Sequence, residues 1–422
     1  MTTAHRPGGR SAAPAARKTR RAAARPRRLT LGAIGATALL ALASSTVLGA
    51  DPVKAPPIKV GFVSTFSGPN APLGTDIRDG YELAMKHLGG KLGGIPAETI
   101  FRDDQFSVDT GKQLFERLIR QDRVDFLTGL VFSNIMLAVA PAVFESETPY
   151  VSANAGPTLL AGRECSPWFA SVAWPNDAMH EAVGRHASNK GYKLVALIAP
   201  NYPAGRDALA GFKRFYTGQV GEELYPRLGQ LDFAAEIAQL RAAHPDAVYA
   251  FMPGAMGINF IKQFVAAGLP KDAQLLLPGS TADEDIIRAV GEPMLGLFDT
   301  AAWNHDFDNP ANRRFVADFE QAHGRLPSLY AAQGYDAALM LDALVRKVGG
   351  RLTDKAAMKS ALRTARFASV RGDFRFNVNG YPIQNYYLRV IVRDPKGRIT
   401  NRTIGTVLTD HGDSYAPECK LK

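Results

Sequence analysis

From residue 58 onward, strand-like apolar runs alternate with helix-length segments, and the alternation passes through the chain twice. The first pass has runs at 59–63, 98–101, 124–127 and 149–152, separated by helical patterns at 77–87 and 111–120. The second has runs at 193–198, 247–251 and 274–277, separated by helical patterns at 208–216 and 258–267. Parallel strands need a crossover of about helix length, so this rhythm predicts an α/β fold with parallel sheets. Some 370 residues exceed one ordinary core. Two similar α/β lobes with a cleft between them are therefore expected.

At each strand end the chain turns small or polar: Ser64 to Ser67, with Phe66 between; Gly129 to Asn134; Ser152 to Gly156; Pro200 to Tyr202; Met252 to Ala255; and Gly279 to Thr281. Ligands of open α/β sheets sit beyond the carboxyl ends of the strands. Each turn by itself is ordinary strand-to-helix chemistry, in which Gly, Ser and Asn are favoured. Six of them in two matching halves point to the cleft as a binding site. Helices that begin near Asn134 and Ala255 would offer free backbone N–H groups to an anion.

The first 50 residues hold nine Lys or Arg, no Asp or Glu, and an apolar run from Leu29 to Leu48 that ends at Gly49 and Ala50. A basic segment, an apolar segment and a small residue at the cut are the parts of an export signal. Arg27 and Arg28 leave both a twin-arginine and a general secretory route open, and an uncleaved anchor is the alternative. Removing those residues from a chain with 50 Lys plus Arg leaves 41 basic against 40 acidic side chains. The basic surplus belongs to the signal, so no nucleic-acid partner is expected.

Two cysteines remain, Cys165 and Cys419. In an oxidising compartment a pair suggests one disulfide, with two separate thiols as the alternative. The chain lacks HExxH, CxxC, G-x-S-x-G and Walker motifs, and its histidines are scattered. Asp103 and Asp104 at a strand end read as a solvated turn more readily than as a metal site. No enzyme, cofactor or metal is expected.

Lys59 to Val63, Ser67 to Pro69, Gly74 and Gly80 resemble the opening of the periplasmic branched-chain amino-acid-binding proteins, solute receptors of one class of ABC importer. Val124 to Gly129, Ser133, Ser152 to Ala155, Ala266 to Leu269, Arg314 to Val316, Tyr335 to Ala338 and Tyr381 to Tyr387 fall in that family's order. The resemblance spans nearly the whole chain after the signal. It implies a type I periplasmic binding fold, two Rossmann-like lobes joined by three crossings near 172–177, 300–304 and 372–376. One lobe would comprise 58–173 and 304–372, the other 178–300 and 376–410, with 411–422 as a tail.

The same resemblance implies that Ser133 and the loop Ala153, Asn154, Ala155 and Gly156, beside Asn134, seat a ligand carboxylate. Departures from the family pattern matter as much. Gly156 replaces a threonine, Leu73 and Pro253 replace cleft tyrosines, and Gly279 replaces the glutamate that pairs with a ligand ammonium. An ammonium buried without that charge costs several kcal/mol. A wall offering Phe66, Leu73, Phe132, Tyr202, Met252, Trp303 and Tyr330 suits a flat apolar body. Ser152 to Pro157, Cys165 to Trp168 and Pro200 to Tyr202 resemble the branch associated with aromatic acids. The expected protein is a periplasmic monomer that delivers an apolar, aromatic carboxylate to an ABC permease and ATPase. The alternatives are an amino-acid receptor of the same class and a sensory module for a membrane receptor.

Overall fold

The structure, a computed structural model, describes residues 56–421, and the expected export signal lies outside the described residues. The apolar run at 59–63 forms β1 (Ile58–Ser64), buried at every position but Lys59. It lies between β3 (Ile95–Asp103) and β4 (Phe126–Thr128), parallel to both, in a six-stranded sheet. β5 (Tyr150–Ser152) and β6 (Phe169–Ser171) continue the sheet in parallel, and β2 (Lys91–Leu92) folds back on β3 as an antiparallel edge. Burial on both faces is why β1, β4 and β5 read as continuous apolar runs instead of alternating ones.

α1 (Ala71–His87), α2 (Val108–Arg117), α3 (Ser133–Glu145) and the short α4 (Thr158–Ala161) connect these strands. α1 begins six residues before the expected 77 because Pro72 occupies a first-turn position, where its missing N–H costs nothing.

The second sheet repeats the scheme. β8 (Gln219–Leu224), β7 (Leu194–Ile198), β9 (Ala247–Ala250), β10 (Gln274–Pro278) and β11 (Phe298–Ala301) lie side by side and parallel. The joining helices are α5 (Ala178–Lys190), α6 (Pro203–Phe215), α7 (Ala234–Ala243), α8 (Ala255–Ala266) and α9 (Glu284–Val290). β12 (Arg375–Phe376), β13 (Pro382–Arg393) and β14 (Ile399–His411) then add an antiparallel flank beyond β11. β8 escaped the sequence reading because its Gly-Glu-Glu stretch is that of a solvated edge strand.

Between these pieces α10 (Pro310–His323), α11 (Leu329–Lys347) and α12 (Lys355–Thr364) return to the first sheet, where α11 packs on α1 and α12 meets β6. Two glycines set that helix pair. A Cβ on Gly80 would sit 1.8 Å from the Ala331 carbonyl oxygen, and one on Gly334 would sit 1.9 Å from that of Ile77. Any larger residue would force the helices apart.

The chain thus passes between the sheets at 172–177, 302–309 and 365–374. Buried Arg371 ties the third crossing to the first. Its guanidinium bonds the Ala173 carbonyl (3.1 Å), Gln384 (2.5 Å) and Asp336 (3.2 Å). Arg389, paired with Asp299 and bonded to the Trp303 carbonyl, anchors the second. Cys165 and Cys419 are disulfide-bonded across 254 residues, fastening the C-terminal tail to the loop after α4.

Candidate ligand-binding cleft

The cleft between the sheets is narrow, with a cavity of about 30 Å³, room for water and not for a ring. From the first sheet's side come Val131, Phe132 and Ser133 at the start of α3, Asn154 after β5, and Tyr330 in the first turn of α11. From the second come His180, Tyr202, Phe251, Pro253 and Ser280, each at a helix start or just beyond a strand's carboxyl end. Trp174 and Asn176 enter from the first crossing. No lining side chain carries a full charge, and five of them are aromatic rings other than histidine.

Asn176 organises the polar end. Its Nδ2 donates to Asp207 Oδ2 at 2.8 Å, which fixes the amide so that Oδ1 faces Ser133 and Gly156. Oδ1 then accepts from Ser133 Oγ (3.2 Å) and the Gly156 N–H (3.3 Å), while Ser133 Oγ also lies within reach of Nδ2 as an acceptor (3.1 Å). The two donors expected to hold a carboxylate therefore converge, and they converge on a carbonyl-type oxygen. Asp207, on α6, also accepts from Thr158 Oγ1 (2.8 Å) and the Thr158 N–H (3.3 Å) on α4. Burial pushes the Asp207 carboxyl up, against the pull of the Asn176 and Thr158 hydrogen bonds.

Gly156 is required by packing. A Cβ there would lie 2.1 Å from the Trp174 carbonyl oxygen, so the crossing leaves no room for a threonine. Gly279 has the same kind of reason. A Cβ would meet Ala301 Cβ at 2.8 Å and an Arg389 nitrogen at 3.0 Å, so the buried Arg389 fills the place into which a glutamate would have to project.

The opposite wall is built on β9 and α5. His180 Nδ1 lies 2.5 Å from the Tyr249 hydroxyl, and its ring packs 4.9 Å from that of Phe251. Burial drives the imidazole down to about 3, so it is neutral. Phe132, Tyr202 and Phe251 form a chain of rings, with centroids 6.4 Å apart at each step. The Tyr202 and Tyr330 hydroxyls make no hydrogen bonds among the described residues, and burial raises both phenols above their usual range.

Of the residues expected in the site, Phe132, Ser133, Asn154, Tyr202, Pro253 and Tyr330 line the cleft, and Gly156 reaches it through its N–H. Others do not. The Ala155 N–H is bonded to the Leu130 carbonyl (3.1 Å) and cannot serve a ligand. Asn134 faces a neighbouring cavity with Pro157 and Arg206. Met252 is in the second core, its N–H bonded to Thr281 Oγ1 at 2.8 Å, so both residues close a turn. Trp303 gives its indole N–H to Asn312 (2.7 Å) and packs on Phe315. Phe66 packs on Phe62 and Phe101 beneath the Arg78 guanidinium, and Ser67 is exposed beside it. Ala153 is buried behind the lining and Leu73 borders a separate cavity with Asp283.

Sequence reasoning missed Trp174, Asn176, His180, Phe251 and Ser280 as site residues. Residues 172–177 were legible as a crossing, and a Trp-Pro-Asn run in a hinge is the signal that could have placed them in the cleft.

The chain matches the family described as "periplasmic binding protein" over residues 57–397. It belongs to that family. It is 29% identical over 378 residues to Leu/Ile/Val-binding protein homolog 6 of Brucella melitensis, covering 87% of this chain and 96% of that one. Among solved structures it resembles an ABC-transporter solute-binding protein from R. palustris in complex with benzoate. The identity is 31%, the TM-score 0.82, and the match covers 87% of this chain and all of that one. A second, from Rhodopseudomonas palustris BisB5 in complex with 3,4-dihydroxybenzoic acid, has 28% identity and a TM-score of 0.80, covering 85% and 98%.

Proposed function

We propose that this protein is the periplasmic receptor of an ABC importer and closes on a single-ring aromatic carboxylate. The observation that carries the reading is the lining itself: aromatic walls, no charged side chain, and two donors gathered at one end. An amino acid would bring an ammonium with no carboxylate to meet it, at a cost of several kcal/mol. A flat ring loses nothing by the same walls. The benzoate and dihydroxybenzoate complexes of the similar proteins support the choice.

In this reading the ligand carboxylate takes the place of Asn176 Oδ1 on Ser133 Oγ and the Gly156 N–H. The ring lies among Phe132, Trp174, Tyr202, Phe251 and Tyr330. The lobes, 58–173 with 304–372 and 178–300 with 376–410, close by hinge motion about the three crossings. The permease selects the closed form by population shift. Residues 1–50 are the cleaved export signal, and the receptor acts as a monomer.

The test is calorimetric titration of the mature protein, unfolded and refolded to strip carried ligand, with benzoate, 4-hydroxybenzoate and leucine. Micromolar or tighter binding of an aromatic acid with none of leucine is expected. Leucine binding would overturn the reading.

A further inference from the structure

Two polar atoms on the second-lobe wall, Ser280 Oγ and His180 Nε2, have no hydrogen-bond partner among the described residues. Ser280, just beyond β10, is 5% exposed, and its Oγ makes no hydrogen bond among the described residues. His180 is 2% exposed and uses one ring nitrogen, Nδ1, toward the Tyr249 hydroxyl.

The tautomer follows from that contact. The Tyr249 O–H is fully buried and has no other acceptor among the described residues, so it satisfies itself only by donating to Nδ1. The imidazole proton then sits on Nε2, which is left to the cavity. The second-lobe side of the cavity thus presents a donor, His180 Nε2–H, and a hydroxyl, Ser280 Oγ, that can donate or accept. A ligand hydroxyl complements this pair, accepting from the imidazole and donating to the serine. An aromatic C–H edge does neither.

Resting on the aromatic-carboxylate reading, we propose that Ser280 and His180 form a hydroxyl-reading pair that makes this receptor selective for hydroxylated single-ring acids over unsubstituted ones. The pair stands on the lobe opposite Ser133 and Gly156, and a 4-hydroxy acid, with carboxylate and hydroxyl at opposite ends of its ring, is the single-ring acid that spans the two. Tyr249 is a positioning residue, because it touches no ligand and acts by fixing which nitrogen carries the proton. Sites that hydrogen-bond a substrate hydroxyl discriminate strongly against the analogue lacking it, because their buried polar groups are then left unpaired.

The experiment is calorimetry with benzoate, 3-hydroxybenzoate and 4-hydroxybenzoate on the ligand-stripped protein, its Ser280→Ala variant and its Tyr249→Phe variant. The wild type should bind 4-hydroxybenzoate at least tenfold more tightly than benzoate. Ser280→Ala should shrink that ratio to threefold or less by weakening 4-hydroxybenzoate relative to benzoate. Tyr249→Phe should shrink it as well, and its far-ultraviolet circular dichroism and melting temperature report whether the fold survives. Equal affinities in the wild type, a preference for the 3-hydroxy acid, or a Ser280→Ala loss that falls equally on all three acids overturns the pair while leaving the aromatic reading intact. Failure of all three acids to bind, with binding of an aliphatic carboxylate, overturns both.

Discussion

Where Asp207 of α6 meets Thr158 of α4, its carboxylate accepts three hydrogen bonds, from the Thr158 hydroxyl, the Thr158 N–H and Asn176. At a second contact between the lobes, Asp283 accepts a single one, from the Leu329 N–H at 2.9 Å. Asp76 and Asp285 stand close enough to raise carboxyls there; Arg325 is bonded to Asp76 and Asp79, and Arg288 to Asp285. Burial, followed by the charge of Asp285, pushes Asp283 up to about 8, and burial first and Asp285 second push Asp76 well above its usual range. The first seam is a satisfied network that leads into the site. The second buries Asp283 and Asp76 within range of the Asp285 charge. Closure therefore joins a carboxyl held by three hydrogen bonds to one that is held by a single hydrogen bond and favours a bound proton.

The largest effect should come from cutting the first seam. Asp207→Ala removes the acceptor of Thr158 and frees Asn176 to rotate, so Ser133 and Gly156 lose their fixed geometry. Hydrogen bonds to a buried charged group are worth about 1.5–3 kcal/mol, so affinity for the aromatic acid should fall on the order of 100-fold. Titration calorimetry reads this directly. Loss of less than threefold would show that the seam and the site are independent.

Next is the seat itself. Ser133→Ala deletes one of two donors and leaves Asn176 bonded to Gly156 and Asp207. Affinity should drop by more than tenfold with the melting temperature within about 2 °C of the wild type. A titration unchanged by the substitution would remove Ser133 from the carboxylate seat.

The two seams also show how far a sequence can be read. The loss of the glutamate at Gly279 is legible only against the family resemblance, whereas the alternation of strands and helices and the cleft follow from local pattern, because each depends on neighbouring residues. Ser133, Gly156 and Tyr202 were legible for the same reason, as turn residues at strand ends. Asn176 and Asp207 were not, since their meaning lies in a contact between residues 31 apart in the chain and on different elements. Trp303 misled for the opposite reason. An aromatic residue at a strand end reads as a wall, but the indole N–H finds Asn312 nine residues on and turns into the core.

The smallest effect, and the one that separates the seams most sharply, is that of pH on the second. A carboxyl whose folded pKa is raised binds its proton more tightly in the folded state than in the unfolded one. Stability from that proton is fully present below the ordinary carboxylate pKa of about 4 and is lost as pH rises through the folded value. For Asp283 the window runs from about 4 to about 8. Asp177, raised to about 7 by burial and then by Glu181 against the pull of Arg214, works in the same direction over a narrower range. Asp283 is desolvated in part by Leu329 and Tyr330 of the opposite lobe, so opening the cleft should lower its pKa, and closure should take up a proton. Ligand affinity should therefore decline several-fold between pH 5.5 and 8, about 1 kcal/mol, although the ligand stays ionised throughout. Titrations in two buffers of different ionisation enthalpy would register the proton taken up. Asp283→Asn should flatten the profile and bind at pH 8 as the wild type does at pH 5.5, while Asp207→Ala should leave the slope in place. A wild-type affinity that is flat across this range would show that the acid-rich seam is already present in the open form and plays no part in closure.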